Sequence, residues 1–253
     1  MKSSFDLGEP HMKIIQKIAA KANALRQENP VTIAFLGDSV TQGCFECYKT
    51  GEKSIQTVFE RQNAYSTRLG EILALLYPSA QVNIINSGIS GDSAVGGSNR
   101  LERDVLAYHP DLVVVSFGLN DSGEGVEGIG AYVDALRSIF TRVQQQGAEL
   151  IFLTENCMNT HVSPHLPKDE YFVSLATRLA ERQNDGVLKK YFDAAKELCA
   201  ELGVTVCDLH QKWQQLLDGG ADVTELLANK LNHPVRQMHY YMAIKLLETM
   251  FEN

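Results

Sequence analysis

Five short apolar, β-branched runs constrain this chain more than any other feature of it. They are VTIAFLG from Val31, QVNIINSG from Gln81, DLVVVSFG from Asp111, AELIFLTEN from Ala148 and VTVCDLH from Val204. Each is nearly continuous rather than alternating, and each closes on a glycine or a polar residue. A strand with one wet face alternates apolar and polar residues, whereas a strand covered by helices on both faces does not. Parallel strands need long crossover connections, and helical periodicity fills the intervals here. Residues 63–76 set Tyr65, Leu69, Ile72, Leu73 and Leu76 on one helical face, and residues 129–146 do the same with Val133, Leu136, Ile139, Phe140 and Val143. Segments 186–202 and 235–251 read as two further helices. Strand alternating with helix predicts a doubly wound α/β architecture with right-handed crossovers. No internal repeat or low-complexity linker divides the chain. One domain is expected over residues 1–253, with 1–30 as an N-terminal helical extension.

Composition narrows the function classes. The 253 residues carry 23 Lys plus Arg against 31 Asp plus Glu, a net charge of −8, with no basic block. Binding to a phosphate backbone needs a basic footprint, so nucleic acid is not an expected partner. No run of about 20 apolar residues is present, so no membrane span is expected. The first 30 residues, with Asp6 and Glu9 among several lysines, contain no uninterrupted apolar stretch of the kind a secretion signal has. Five scattered cysteines, an odd number, suit reduced thiols and a cytoplasmic location.

The least regular stretches, 42–62, 87–99 and 154–169, each follow a strand. Open α/β sheets bind ligands beyond the carboxyl ends of their strands, so chemistry is expected there. The first strand ends in Gly37-Asp38-Ser39, a serine on a tight turn with its hydroxyl at the sheet edge. The second ends in Asn86-Ser87-Gly88, and the third in Gly118-Leu119-Asn120-Asp121. Together they offer a hydroxyl, backbone N–H groups and an uncharged amide donor, which is what a tetrahedral oxyanion requires. Taken singly, each motif also reads as ordinary turn chemistry. Late in the chain, Asn232-His233-Pro234 puts a histidine in the loop before the last helix.

Gly-Asp-Ser, Asn-x-Gly, Gly-x-Asn-Asp and a late His-Pro, in that order, resemble the SGNH (GDSL-type) hydrolase family over residues 31–245. The resemblance implies a flavodoxin-like three-layer α/β/α sandwich with a five-stranded, mainly parallel sheet. It implies Ser39 as nucleophile, His233 as general base, and an oxyanion hole made of the Ser39 N–H, the Gly88 N–H and the Asn120 side chain. Where the family carries a triad Asp, three residues before the histidine, this chain has Lys230. A backbone carbonyl or water then holds the imidazole, or a carboxylate comes from elsewhere: Asp222, Glu225 and Glu46 are the candidates. Asp38 is expected to brace the turn, and His239 is the alternative base. Phe45, Tyr48, Phe59, Tyr65, Met158 and His161 are candidate pocket residues. Cys44 and Cys47 form a single Cys-x-x-Cys with no second pair, so no metal site is expected. No cofactor is needed for ester hydrolysis by acyl transfer.

The expected substrates are small esters, with short acyl groups on small or carbohydrate alcohols; lysophospholipase or thioesterase activity is the alternative within the family. Other classes are a Mg²⁺-dependent phosphohydrolase using Asp38, a nucleotide- or flavin-binding module, and a non-catalytic fold. The phosphohydrolase scheme wants a second carboxylate two positions beyond Asp38, where Val40 stands, and no phosphate-cradling glycine motif is present. Oligomeric state is not readable from the sequence.

Overall fold

A computed structural model describes residues 12–51 and 55–252. The expectations for Asp6, Glu9 and the remainder of residues 1–11 lie outside the described residues. In chain order the elements are α1 (Lys13–Asn23), β1 (Val31–Gly37), α2 (Ser39–Gln42), β2 (Cys44–Lys49), β3 (Ile55–Phe59), α3 (Tyr65–Leu76), β4 (Val82–Gly88), α4 (Ala94–Asp104) and β5 (Leu112–Ser116). They continue with α5 (Ile129–Gln145), β6 (Glu149–Leu153), α6 (Glu170–Asn184), α7 (Val187–Leu202), β7 (Thr205–Cys207), α8 (Leu209–Asp218) and α9 (Arg236–Glu252).

Five strands form one sheet in the order β4-β1-β5-β6-β7, every neighbouring pair parallel. These are the five apolar runs of the sequence, and β5 is buried along its whole length. Helices flank the sheet in two groups: α3 and α1 pack on α9, while α4 packs on α5, and α5 and α6 pack on α7. The core is continuous between them, from Ile33, Phe35 and Val113–Val115 in the sheet to Leu69, Leu136, Phe140, Leu198 and Leu246 on the helices. The chain leaves β1 towards β4 and then returns across β1 to β5. Strand order therefore reverses between β1 and β5, the point beyond whose carboxyl ends open α/β sheets bind their ligands.

Several segments differ from the sequence reading. Residues 42–62 contain a two-stranded antiparallel hairpin, β2 and β3, outside the main sheet. The stretch 87–99, read as irregular, runs into α4 from Ala94. Gly96 and Gly97 hide that helix from propensity, because glycine is a poor helix former. Packing demands one of them: a Cβ on Gly97 would stand 2.5 Å from the Phe117 ring. Helices α6 and α8, each capped by an aspartate (Asp169 and Asp208), were also not anticipated. Leu76, assigned to the buried face of α3, lies exposed in its last turn.

Candidate active site

Ser39 opens the single-turn helix α2 directly after β1. Its turn is pinned by Asp38, whose Oδ1 accepts the Val40 N–H at 2.9 Å, and the turn closes at Gly43 in the left-handed region (φ 92°). A residue at the start of a helix has no intrahelical acceptor for its N–H, which leaves the Ser39 N–H available for a ligand. The end of β4 lies directly against this turn. A Cβ on Gly88 would stand 2.2 Å from the Gln42 nitrogen, so only glycine lets the strand end approach α2. Asn86 fastens the two from β4: its Nδ2 donates to the Thr41 carbonyl at 2.7 Å, and its Oδ1 accepts the Gly88 N–H at 3.0 Å. Arg100, from α4, donates to the carbonyls of Gly37 (2.9 Å) and Ser87 (2.6 Å) and pairs with Asp92. One guanidinium thus joins the ends of β1 and β4.

Asn120 follows β5. Its Nδ2 donates to Asp38 Oδ2 and to the Asp92 carbonyl, each at 2.9 Å. Two of the three oxyanion donors implied by the family resemblance are therefore already engaged by protein oxygens in the free protein. Asp121 accepts the Ala94 N–H at the start of α4, and burial pushes its carboxyl up to about 6.

His233 reaches the same place from a loop near the other end of the chain. Its Nε2 is 3.1 Å from Ser39 Oγ. Its Nδ1 is 2.9 Å from the carbonyl oxygen of Phe45, in β2. A carbonyl only accepts, so Nδ1 carries the proton in the neutral ring and Nε2 presents its lone pair to the serine hydroxyl. Burial lowers the imidazole to about 4, against a smaller upward pull from the Phe45 carbonyl. The loop is organised by Asn229, whose Oδ1 accepts the N–H groups of Leu231, Asn232 and His233 at 3.0, 3.0 and 2.9 Å.

None of the three carboxylates considered for the triad touches His233. Glu46 pairs with Arg236, which also binds Glu60 and lies 4.4 Å from the centroid of the Phe45 ring. That bonding to Arg236 holds Glu46 below its ordinary pKa. Asp222 accepts the Thr224 N–H and lies 3.6 Å from His161. Glu225 binds Lys230 and Ser163. Lys230 itself adopts a left-handed backbone (φ 58°) and turns its ammonium to Glu225, so the position of the family's Asp is occupied by a group that makes no bond to the imidazole.

The remaining candidates separate by burial. His239 is fully buried between Phe45 and Tyr65, and its Nδ1 accepts the Tyr65 N–H at 3.2 Å. Burial lowers its pKa to about 3, and Ser39 is not among its partners. Phe45, Tyr65 and Met158 belong to the core, while Tyr48, Phe59 and His161 face solvent. Asp38 is buried, and both its oxygens accept protein N–H groups. All five cysteines are free, and among the described residues no group of three or more His, Cys, Asp or Glu could hold a metal ion. Sequence reasoning offered a backbone carbonyl as one way to hold the imidazole but not that it is Phe45's, since a backbone group leaves no mark on residue type. It also missed Glu155, although a glutamate closing a wholly apolar run was visible there.

A parallel α/β sandwich with a serine and a histidine meeting at its strand-order reversal defines a class, and comparison with known proteins agrees with it. Residues 35–240 match the model of the GDSL-like lipase/acylhydrolase family, and the chain belongs to that family. Among curated proteins, an acetylxylan esterase of Geobacillus stearothermophilus is 35% identical over 89 residues, 35% of this chain and 39% of the relative. An arylesterase of Vibrio mimicus is 31% identical over 114 residues, 44% and 53% of the two chains. The matched segments thus span about half or less of those relatives' lengths. Among solved structures, the acetylxylan esterase Axe2 of Geobacillus stearothermophilus superposes with a TM-score of 0.63 at 20% identity, covering 87% of this chain and 94% of its own. The acetyl xylan esterase AlAXEase gives 0.64 at 21%, covering 86% and 98%. At these identities the structural likeness concerns the fold. No helix among the described residues is long and apolar enough to cross a membrane.

Proposed function

We propose that this protein is a serine esterase in which Ser39 and His233 act as a dyad. The observation that carries this reading is the chain of contacts from Ser39 Oγ to His233 Nε2 (3.1 Å) and from His233 Nδ1 to the Phe45 carbonyl (2.9 Å). The carbonyl does one part of a triad carboxylate's work, fixing tautomer and ring plane. It lacks the negative charge that would also stabilise the imidazolium.

In the first half-reaction Nε2 takes the Ser39 proton as Oγ adds to the ester carbonyl carbon. The Ser39 and Gly88 N–H groups and the Asn120 amide hold the oxyanion. Charge-assisted bonds outcompete neutral ones, so the oxyanion draws the Gly88 N–H from the neutral Asn86 Oδ1 and the Asn120 amide from the neutral Asp92 carbonyl, while Asp38 keeps the amide's other N–H. The imidazolium returns its proton to the alcohol oxygen as that group leaves. Water, deprotonated by Nε2, then releases the acid from the acyl-enzyme and restores Ser39.

Substrates are small esters with short acyl groups, acetyl above all. Ser39 exposes only 3% of its surface and His233 only 6%, which leaves little room at the acyl carbon. The acetylxylan esterase relatives support acetylated carbohydrates as the substrate class. The test is hydrolysis of p-nitrophenyl acetate, butyrate and octanoate, and of acetylated xylo-oligosaccharide, by wild type, Ser39→Ala and His233→Ala. Wild type is expected to prefer acetate, and each variant to lose about 10⁴-fold or more in kcat. Retention of the rate in Ser39→Ala overturns the mechanism; a preference for octanoate overturns the acyl-length reading.

A further inference from the structure

Behind the nucleophile turn lies a second carboxyl group with no place in the dyad. Glu155 follows β6 and is wholly buried. Its Oε2 accepts the N–H of Leu119, the neighbour of Asn120, at 2.8 Å. Its Oε1 is also buried and accepts no N–H or O–H. The Glu155 carboxyl lies against that of Asp38. Asp38 already accepts two N–H groups, one on each oxygen, which is the behaviour of an ionised carboxylate. Two ionised carboxylates in contact inside a dry core repel strongly, and one proton between them turns that contact into a hydrogen bond. The neighbouring Arg100 does not pair with either carboxyl, because it is taken by Asp92, Asp104 and two carbonyls. The other titratable groups facing the pair are Asp121, Asp92, Tyr65, Tyr132 and the Cys44 thiol. None of these adds positive charge.

We propose that Glu155 is a positioning residue: it donates the one proton of a carboxyl–carboxylate pair to Asp38 and so holds Asp38 as a single anion against the Asn120 amide. Through Leu119 on one side and Asp38 on the other, Glu155 fixes both the backbone and the side chain of the oxyanion donor. One shared proton also keeps the pair at one negative charge where a negative oxygen develops during the reaction. Burial pushes Glu155 well above the ordinary carboxyl range, in keeping with a proton held there, while on Asp38 the upward push of its own burial is opposed by the Val40 N–H and the Glu155 side chain. The role in positioning rests on the esterase reading; the shared proton does not.

The experiment therefore reads both. A carboxyl whose folded pKa is raised gives full stability below its unfolded pKa and loses it as pH rises towards the folded value. Glu155→Gln supplies the same donor to Asp38 without a titrating proton. Its melting temperature is expected to gain on wild type by roughly 3 °C per pH unit between pH 5 and 8. A gap that stays flat or narrows with pH overturns the shared proton. Infrared spectra of wild type in D₂O at pH 8 supply a reading that needs no variant to fold: a protonated carboxyl C=O band is expected, and its absence overturns the proposal. For positioning, Glu155→Leu is expected to lower kcat about 10²-fold with KM little changed, while Glu155→Gln restores it to within about tenfold of wild type. Equal losses in both variants overturn the neutral-donor role, and no loss in either overturns positioning. Failure of the esterase reading shows separately, as no Ser39-dependent hydrolysis by wild type.

Discussion

The two halves of the proposed dyad are held by opposite means. Ser39 sits at a strand end, where the parallel register of β4, β1 and β5 places Gly37 beside Gly88 and Ser116. Sheet hydrogen bonds, Arg100 and the close approach of Gly88 fix it from three sides. His233 has no regular element beneath it. Its loop is closed by an isolated bridge between Leu227 and Pro234, by Asn229, and by the Glu46–Arg236–Glu60 cluster tying α9 to the β2–β3 hairpin. A strand end costs little additional ordering, because the sheet has already fixed it. A loop has to be fixed by side chains one contact at a time. The histidine side is therefore the softer half, with its imidazole aimed by a carbonyl on the separate hairpin.

Single substitutions break this contrast unequally. Gly88→Ala should do most damage, because a Cβ 2.2 Å from a backbone nitrogen cannot be relieved by rotating a side chain. A loss of about 10³-fold in kcat/KM is expected with a fall in melting temperature, as α2 is driven away from the strand end. Asn229→Ala strips the acceptor from three N–H groups but leaves the sheet alone. Here we expect a loss of about 10- to 100-fold in kcat, and a smaller fall in melting temperature than for Gly88→Ala. The reverse ranking in steady-state kinetics would show that the loop, not the strand end, is the rigid half.

The pH profile sharpens the comparison next. With the imidazole lowered to about 4 by burial, kcat/KM should rise with pH through that value and stay flat from about pH 5 to 8. A midpoint near 7 would reveal a carboxylate partner for His233. Stability carries the same signature. His233 and His239 are held neutral in the fold but charge below about 6.5 in the unfolded chain, so their own contribution to stability falls as pH drops from 6.5 towards 4, opposite in sign to that of the raised carboxyls Glu155 and Asp38. The smallest effect belongs to Lys230→Asp. The lysine side chain already points to Glu225, so the new carboxylate meets a like charge and gains no bond to an imidazole whose Nδ1 is occupied. Its kcat/KM should not rise above wild type; an increase would mean that the loop can re-form around a triad.

The placement of Ser39 and its neighbours was legible because it is local in sequence. Ser39, Gly88 and Asn120 each follow an apolar run within a few residues, so recognising the runs as strands nearly places them. The hairpin in 42–62 was hidden by its polar composition, and α4 by its two glycines. On the histidine side, Lys230 signalled a departure and a backbone carbonyl was one expected remedy, but which residue supplies it was not legible. Glu46 looked like a free carboxylate until the fold set Arg236 beside it.

By itself the sequence determined a parallel sheet with helical crossovers, and the strand ends that carry Ser39, Gly88 and Asn120, because continuous apolar runs can be buried in few other ways. Only the tertiary structure decided what completes the site. The Phe45 carbonyl lies 188 residues from the ring it holds, and Glu155 meets Asp38 across the sheet edge. Contacts of that kind depend on register, loop closure and the dryness of the space between groups. None of these is written in the identity of any single residue.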